Sequence, residues 1–315
     1  MTTSETRRGS VGPTRATGDG APVLSPLVGR GAELELIDSL LGGGRQGRGG
    51  SCLLLSGGPG VGKTALLDEA AVRGAAAGMR VLRASGVEFE AEIAFSALHQ
   101  LLYPLRQDVA GLVGHDRDAL RKVFDLVDVG RVGQVGDAGS AVSAATAVLA
   151  LLAEVAGARP LLVIVDDLAF LDQHSATVLG FVVRRVAHVP ITFLAADRRG
   201  ADGLLRQVRI PERLVGPLEA RAAGELLDLR SPGVAAPVRR RLLAEAAGNP
   251  LAIVELPAAL TDRQRSGRDP LPARLPLTQR LESVFAAPIT RLPRPTRELL
   301  LLAALDDRDS DPAPR

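Results

Sequence analysis

Apolar positions along this chain follow two rhythms. Short apolar runs occur at Cys52–Leu55, Leu161–Val165 and Ile191–Ala195, with a further strand-like segment, broken by Arg80 and Arg83, at Met79–Ala84. Runs of this length, bounded by Gly, Pro or acidic residues, predict strands. Leu161–Val165 has the uninterrupted character of a central parallel strand covered on both faces. Arg213–Leu218 reads as a last, edge-type strand, because Pro217 ends pairing. Helical spacing fills the intervals: Ala65–Ala77 ended by Gly78, Phe95–Leu105 stopped by Pro104, Asp118–Leu126, the Ala-rich Ala141–Ala156, and Ser175–Ala187. Strands alternating with helices predict an α/β domain with a parallel sheet.

From Glu219 onward the strand rhythm stops. Helical runs follow at Ala220–Leu229, Val238–Ala247 and Pro250–Leu260, which reads as a small helical module appended to the α/β core. Gly248-Asn249-Pro250 stops one helix and opens the next with Pro at its first position. Thr261–Pro276 has the composition of an exposed linker; Leu281–Leu292 and Thr296–Leu305 read as helices before a tail, Asp306–Arg315. Ahead of the first strand, a Leu27–Arg30 loop leads into a helix carrying Leu36, Leu40 and Leu41, then a connector, Gly42–Gly50. Residues 1–24 lack periodicity and read as a disordered arm, with Arg7, Arg8 and Arg15 able to meet an acidic partner. Val129–Ser140 reads as a glycine-rich loop. The organisation is an arm over 1–24, a core over 25–218, a helical lid over 219–290 and a final segment over 291–315.

Composition narrows the function classes. Hydrophobic residues make up 46% of the 315 residues, ample for a core, but aromatics only 3%. The core must be Leu, Val and Ala, and recognition of nucleic acid by base stacking has little to work with. A net charge of +2 is no strong polyanion signal, and no zinc-finger or basic-zipper spacing appears. Cys52 is the single cysteine, so no intramolecular disulfide can form. The N-terminal residues carry no apolar signal region, and the apolar run Ala144–Ala153 is short for a membrane span. A cytoplasmic protein without membrane contact is expected.

The chemistry lies at two strand ends. Gly57, Gly58, Pro59, Gly60, Val61, Gly62, Lys63 and Thr64 match G-x-x-x-x-G-K-[ST], followed by Ala65, between a strand and a helix start. Such a loop can turn successive backbone N–H groups toward phosphate oxygens, and the helix adds the positive end of its dipole. Lys63 can reach the β- and γ-phosphates, and the Thr64 hydroxyl can ligate Mg²⁺. Only two lysines, Lys63 and Lys122, stand against 36 arginines, so lysine at this position is informative. A glycine turn that binds nothing is the alternative. The second site follows Leu161–Val165: Asp166 is placed to hold Mg²⁺ and Asp167 to orient a water or contribute catalytically with Lys63. Two solvated acids closing a strand is the plainer reading. Arg198 and Arg199, after the next strand, can contact a γ-phosphate. His99 sits among apolar residues as a packing histidine; with His115, His174 and His188 it shows no metal-ligand spacing.

Five stretches carry a resemblance: LVGRGAEL (27–34), GGPGVGKTALL (57–67), FSALHQLLYPL (95–105), LLVIVDDLAFLD (161–172) and AAGNPLAIVELPAAL (246–260). The chain resembles the ATPase module of STAND-class signal-transduction ATPases, and more narrowly the N-terminal half of large LuxR-type transcriptional regulators. The resemblance implies a P-loop NTPase with a five-stranded parallel, AAA-like sheet and a helical lid. It implies ATP/ADP and Mg²⁺ as ligands, Val28 and Arg30 beside the adenine, and Pro250 packing on it from the lid. It also implies a slow switch that ADP holds closed and ATP opens for self-association or for association with full-length homologous regulators. The chain departs from the pattern at Gly31, usually acidic, at Phe170, where Trp is common, and at Asp197, where an arginine is usual. On the same pattern Arg315 falls near the start of a winged-helix region, so no direct DNA contact is expected from this chain.

The expected function is a nucleotide-dependent switch with slow ATP hydrolysis. A non-catalytic ATP/ADP-binding module is the alternative. A metabolic kinase lacks an acceptor signature, and a DNA motor lacks stacking residues and a strongly basic face.

Overall fold

The computed structural model describes residues 27–45, 49–112, 114–128, 138–198, 208, 210–290 and 292–309. The expected arm over 1–24, most of the glycine-rich loop, Arg199 and the end of the tail lie outside these residues. The elements are α1 (Gly31–Arg45), β1 (Ser51–Gly57), α2 (Lys63–Ala76), β2 (Arg80–Ser85), α3 (Ser96–Leu102), α4 (Arg106–Gly111), α5 (Gly114–Asp128), α6 (Ala138–Ala158), β3 (Leu161–Asp166), α7 (Gln173–Val183), β4 (Ile191–Arg198) and β5 (Glu212–Leu214). The lid follows with α8 (Ala220–Arg230), α9 (Ala236–Ala246), α10 (Pro250–Ala258) and α11 (Asp262–Arg265). Then come α12 (Gln279–Thr290) and α13 (Arg294–Asp309).

The five strands form one sheet in the order β2-β3-β4-β1-β5, all neighbours parallel. Each central strand divides its apolar residues between two cores. Leu54, Val163, Val165, Phe193 and Ala195 face the cluster made with α3, α5, α6 and α7. Leu53, Leu55, Leu162, Ile164, Leu194 and Ala196 face α1 and α2. This two-sided burial is why the runs read as continuous rather than alternating. A third cluster holds the lid together, built on Leu227, Leu242, Ile253 and Leu256.

The register sets the site. Ser56 pairs with Asp197 and Gly57 with Arg198 across β1 and β4, while Ser85 pairs with Asp166 across β2 and β3. The carboxyl ends of four strands therefore lie along one rim.

Several boundaries differ from the sequence expectation. α1 continues through Gly42–Arg45, which composition assigned to a connector. The expected Phe95–Leu105 helix is two pieces, α3 and a 3₁₀ turn, Tyr103–Leu105, that accommodates Pro104; α4 follows it. β5 is shorter than Arg213–Leu218 and starts at Glu212. α7 ends at Val183, short of Ala187. The Thr261–Pro276 linker contains a capped turn of helix, α11, and its Leu271 and Leu275 pack on the lid. α12 and α13 are shifted from the expected helices by a few residues, and α13 runs to Asp309 into the supposed tail. α6 is 21 residues long, and its Ala141–Ala158 window is apolar enough to cross a membrane by length and composition, contrary to the shorter run read from sequence. Ala144, Ala147, Val148, Leu151, Leu152 and Val155 of that helix lie in the core beside the sheet.

Asp172, 2% exposed, ties α3 to α7. As the N-cap of α7 its Oδ1 accepts from the Ser175 N–H at 2.9 Å. The same carboxylate accepts from the N–H groups of Phe95 (2.9 Å) and Ala97 (3.3 Å), at the start of α3. Phe95 holds φ 63°, a left-handed conformation that a non-glycine residue keeps only when its surroundings dictate it. Ser175 Oγ adds a bond from the Leu98 N–H at 2.9 Å. Replacing Asp172 with Ala uncaps two helices at once and is expected to cost about 2–4 kcal/mol, twice the usual cap. Urea unfolding measures it; a loss below about 1 kcal/mol would mean the two helices do not depend on this carboxylate.

Candidate functional site

β1 delivers the chain into the loop Gly57–Gly62, and α2 opens at Lys63. Gly62 is the N-cap of α2 with φ 97°, a conformation that only glycine adopts without strain. The spacing thus aligns the loop on the first turn of the helix, as an anion site requires. Val61 is buried on the α1/α2 side, which anchors the loop to the core. Gly58, Pro59, Gly60 and Ala65 are half-buried.

Thr64 and Asp166 are 102 residues apart in sequence, yet the Thr64 hydroxyl donates to Asp166 Oδ2 at 2.7 Å. The other oxygen, Oδ1, accepts from the Asp167 N–H at 2.9 Å. Lys63, 8% exposed, donates its Nζ to the carbonyls of Gly57 (3.0 Å) and Gly58 (2.9 Å). Burial holds its ammonium below the ordinary lysine range, opposed by the attraction of Asp167 and Asp166. Asp167 takes φ 48°, a strained left-handed turn immediately after β3. Burial first, and then the neighbouring Asp166, push its carboxyl above the usual value, while Arg198 and Lys63 pull it back.

β4 lies between β1 and β3, so its end stands in the middle of the site. Asp197 is 1% exposed, and its Oδ1 accepts from the N–H groups of Arg198 (2.7 Å) and Ala169 (3.3 Å). It thereby ties the turn after Asp167 to β4. The Arg198 guanidinium lies 5.3 Å from the centre of the Phe170 ring. Asp197 was read from sequence only as a departure from a pattern; its burial could not be read from a strand end.

Two further groups meet the loop from outside the core strands. Arg30, 7% exposed, donates Nη2 to the carbonyls of Val61 (2.7 Å) and Gly216 (2.8 Å). Burial lowers its pKa, with Glu33 opposing. Val28, two residues earlier, is half-buried. From the lid, Asn249 donates Nδ2 to the Pro59 carbonyl at 3.0 Å, and the Leu251 N–H donates to the Gly60 carbonyl at 3.2 Å. Sequence reading treated Asn249 as a helix stop and singled out its neighbour Pro250; an Asn at an N-cap between Gly and Pro was the available signal. A cavity of about 1490 Å³ is lined by Arg241, Glu245, Asn249, Leu256, Arg274 and Phe285.

His99 packs between the rings of Tyr103 and Phe124, at 5.6 and 5.4 Å between centroids.

The raised pKa of Asp167 has a signed consequence. The folded state binds this proton more tightly than the unfolded chain, so the group lowers stability as pH rises from about 3.8 through the raised value. Above the raised value that penalty stands in full. Asp167→Asn removes it, so the variant is expected to melt above the parent at pH 7 without nucleotide, with an advantage that shrinks as the pH falls through that window. Melting curves of both proteins across pH 4–8 check this; a difference indifferent to pH would overturn it.

Residues 26–194, more than half of the chain, match the family model described as AAA ATPase domain. Solved structures are similar at low identity. The Aeropyrum pernix ORC1 protein in complex with DNA is 18% identical, with 91% of this chain and 75% of that chain covered and a TM-score of 0.48. The Aeropyrum pernix ORC2 protein, in ADPNP–ADP complexes, is 18% identical, with 84% and 68% covered and a TM-score of 0.47. The Thermotoga maritima RuvB Holliday junction branch migration motor is 14% identical, with 76% and 65% covered and a TM-score of 0.43. A comparison with curated protein sequences finds no match. With the phosphate-loop sequence, the acids after β3 and the parallel sheet in place, the family match over 26–194 decides the assignment: the chain belongs to the AAA ATPase domain family.

Proposed function

We propose that this chain is the ATP-binding module of a signal-transduction ATPase, a nucleotide-dependent switch that hydrolyses ATP slowly to ADP and phosphate. The observation that carries the reading is the 2.7 Å contact between Thr64 and Asp166. A hydroxyl and a carboxylate, both hard oxygen donors, converge beside a lysine at the mouth of a phosphate loop. That pair suits Mg²⁺, which is usually held through one or two protein oxygens together with substrate phosphates and waters. When bound, the ion supplies neutralisation of the charge on the phosphate oxygens.

The chain's own groups do the rest. Lys63 exchanges its bonds to Gly57 and Gly58 for β- and γ-phosphate oxygens. Asp167, held above the usual carboxylate range, is the stronger base for it and orients the attacking water. Arg198, at the end of β4, reaches toward the γ-phosphate. Val28, Arg30 and Pro250 border the base between core and lid. Regulation of the LuxR type, self-association or association with full-length relatives and a cytoplasmic setting complete the reading. Their support is the sequence resemblance over 27–34, 95–105 and 246–260.

Lys63→Ala is expected to leave the fold intact and abolish nucleotide-dependent stabilisation. In the parent, ATP at about a hundred times Kd stabilises by about 2.7 kcal/mol. Equal melting shifts in the two proteins would refute the assignment. Asp167→Ala is expected to bind ATP and release no phosphate. Undiminished phosphate release would remove Asp167 from the chemistry, and a parent that binds ATP without any turnover is a non-catalytic module.

A further inference from the structure

Three consecutive carbonyls of the phosphate loop are held by groups from outside the loop. Pro59 O accepts from Asn249 Nδ2 at 3.0 Å, Gly60 O from the Leu251 N–H at 3.2 Å in a bond that N–H shares with Asn249 Oδ1, and Val61 O from Arg30 Nη2 at 2.7 Å. A trans peptide is planar, with its C=O and the following N–H pointing in opposite directions. Fixing these three carbonyls therefore fixes the N–H groups of Gly60, Val61 and Gly62 on the opposite side of the loop. Those are amides that the loop has to offer a phosphate.

Two of the three outer bonds come from one helix start in the lid. Asn249 is the N-cap of α10, and its Oδ1 accepts from the N–H groups of Leu251 (3.0 Å) and Ala252 (3.3 Å). Its amide nitrogen is thereby left to face the loop. The approach is close: a Cβ on Gly60 would fall 2.7 Å from Asn249 Oδ1 and 2.9 Å from Leu251 Cβ. Only glycine lets the lid come this near. Gly248, just before, accepts from the Leu218 N–H at 2.8 Å, which fastens the helix start to the segment leaving the core.

We propose that Asn249 is a positioning residue for the phosphate loop, through which the lid orients the loop's amides from behind. The proposal rests on the nucleotide reading above and deepens it: lid docking and phosphate binding become one equilibrium. A ligand gripping the inner amides favours the docked lid, and the docked lid favours the ligand, by the same factor.

The two jobs of Asn249 can be separated chemically. Serine caps a helix about as well as asparagine but has no amide to reach Pro59. Asn249→Ser is therefore expected to melt close to the parent without nucleotide and to bind ATP roughly three- to tenfold more weakly, the worth of one neutral hydrogen bond. Asn249→Ala is expected to lose the same affinity and also to melt lower. Titration with a fluorescent ATP analogue and thermal melts read both. A Ser variant that binds as tightly as the parent overturns the proposal, and so does one that melts as low as the Ala variant, since weak binding would then follow from a damaged cap. Hydrogen exchange on the parent gives an arm without mutation: ATP is expected to slow exchange over residues 249–252, and unchanged exchange there under saturating ATP overturns the coupling. A parent that binds neither ATP nor ADP brings down the nucleotide reading itself, whereas a parent that binds with an unaffected Ser variant brings down this inference alone.

Discussion

The site depends on one contact between distant parts of the chain, the Thr64 hydroxyl against the Asp166 carboxylate. Thr64 is on the first turn of α2 and Asp166 is the last residue of β3. They can meet only if β1 and β3 end at the same height in one parallel sheet. The Val165–Ala195 and Leu55–Ala196 pairings set that height, with β4 as the spacer between them. A slip of one residue in β3 would turn its core-facing residues over and point Asp166 away from the rim. The two apolar cores hold the register, because each face of β3 is fully buried.

Charge is concentrated where the sheet ends. Asp166, Asp167 and Asp197 gather around Lys63 and Arg198 in a region largely withdrawn from water. Burying charges is costly unless they are paired and hydrogen-bonded. Backbone amides meet much of that cost: the N–H groups of Asp167, Arg198 and Ala169 all bind these carboxylates. The left-handed turn at Asp167 falls at the same strand end, where its N–H binds the Asp166 carboxylate. Strain at Asp167 and like-charge crowding occur together here, at the end of β3. That combination is typical of functional sites rather than of structural ones.

The lid is joined to the loop by directed polar bonds more than by bulk. Its apolar cluster is separate from the two clusters of the core. From the lid, Asn249 and Leu251 reach the loop's carbonyls, while Arg30 reaches another from the core side. A junction of a few hydrogen bonds can open and close at modest cost, unlike a packed core. The same economy suits a switch, in which a ligand selects between two arrangements of preformed parts.

Much of this was legible in the sequence. The phosphate loop, the acids after β3, the alternation of strand and helix and the appended helices follow from local rules: glycine freedom, apolar run length and helix spacing act over a few residues. Even the two-sided burial of Leu161–Val165 shows as an unbroken apolar run. What local rules do not carry is which strands are neighbours. Nothing in the residues of β4 announces that it lies between β1 and β3, so the central place and full burial of Asp197 emerged only from the assembled sheet. The double cap by Asp172 and the reach of Asn249 to Pro59, 190 positions away, have the same origin. Each is a hydrogen bond or a packing contact whose partner is remote in sequence, and only folding brings such partners within 3 Å or so of each other.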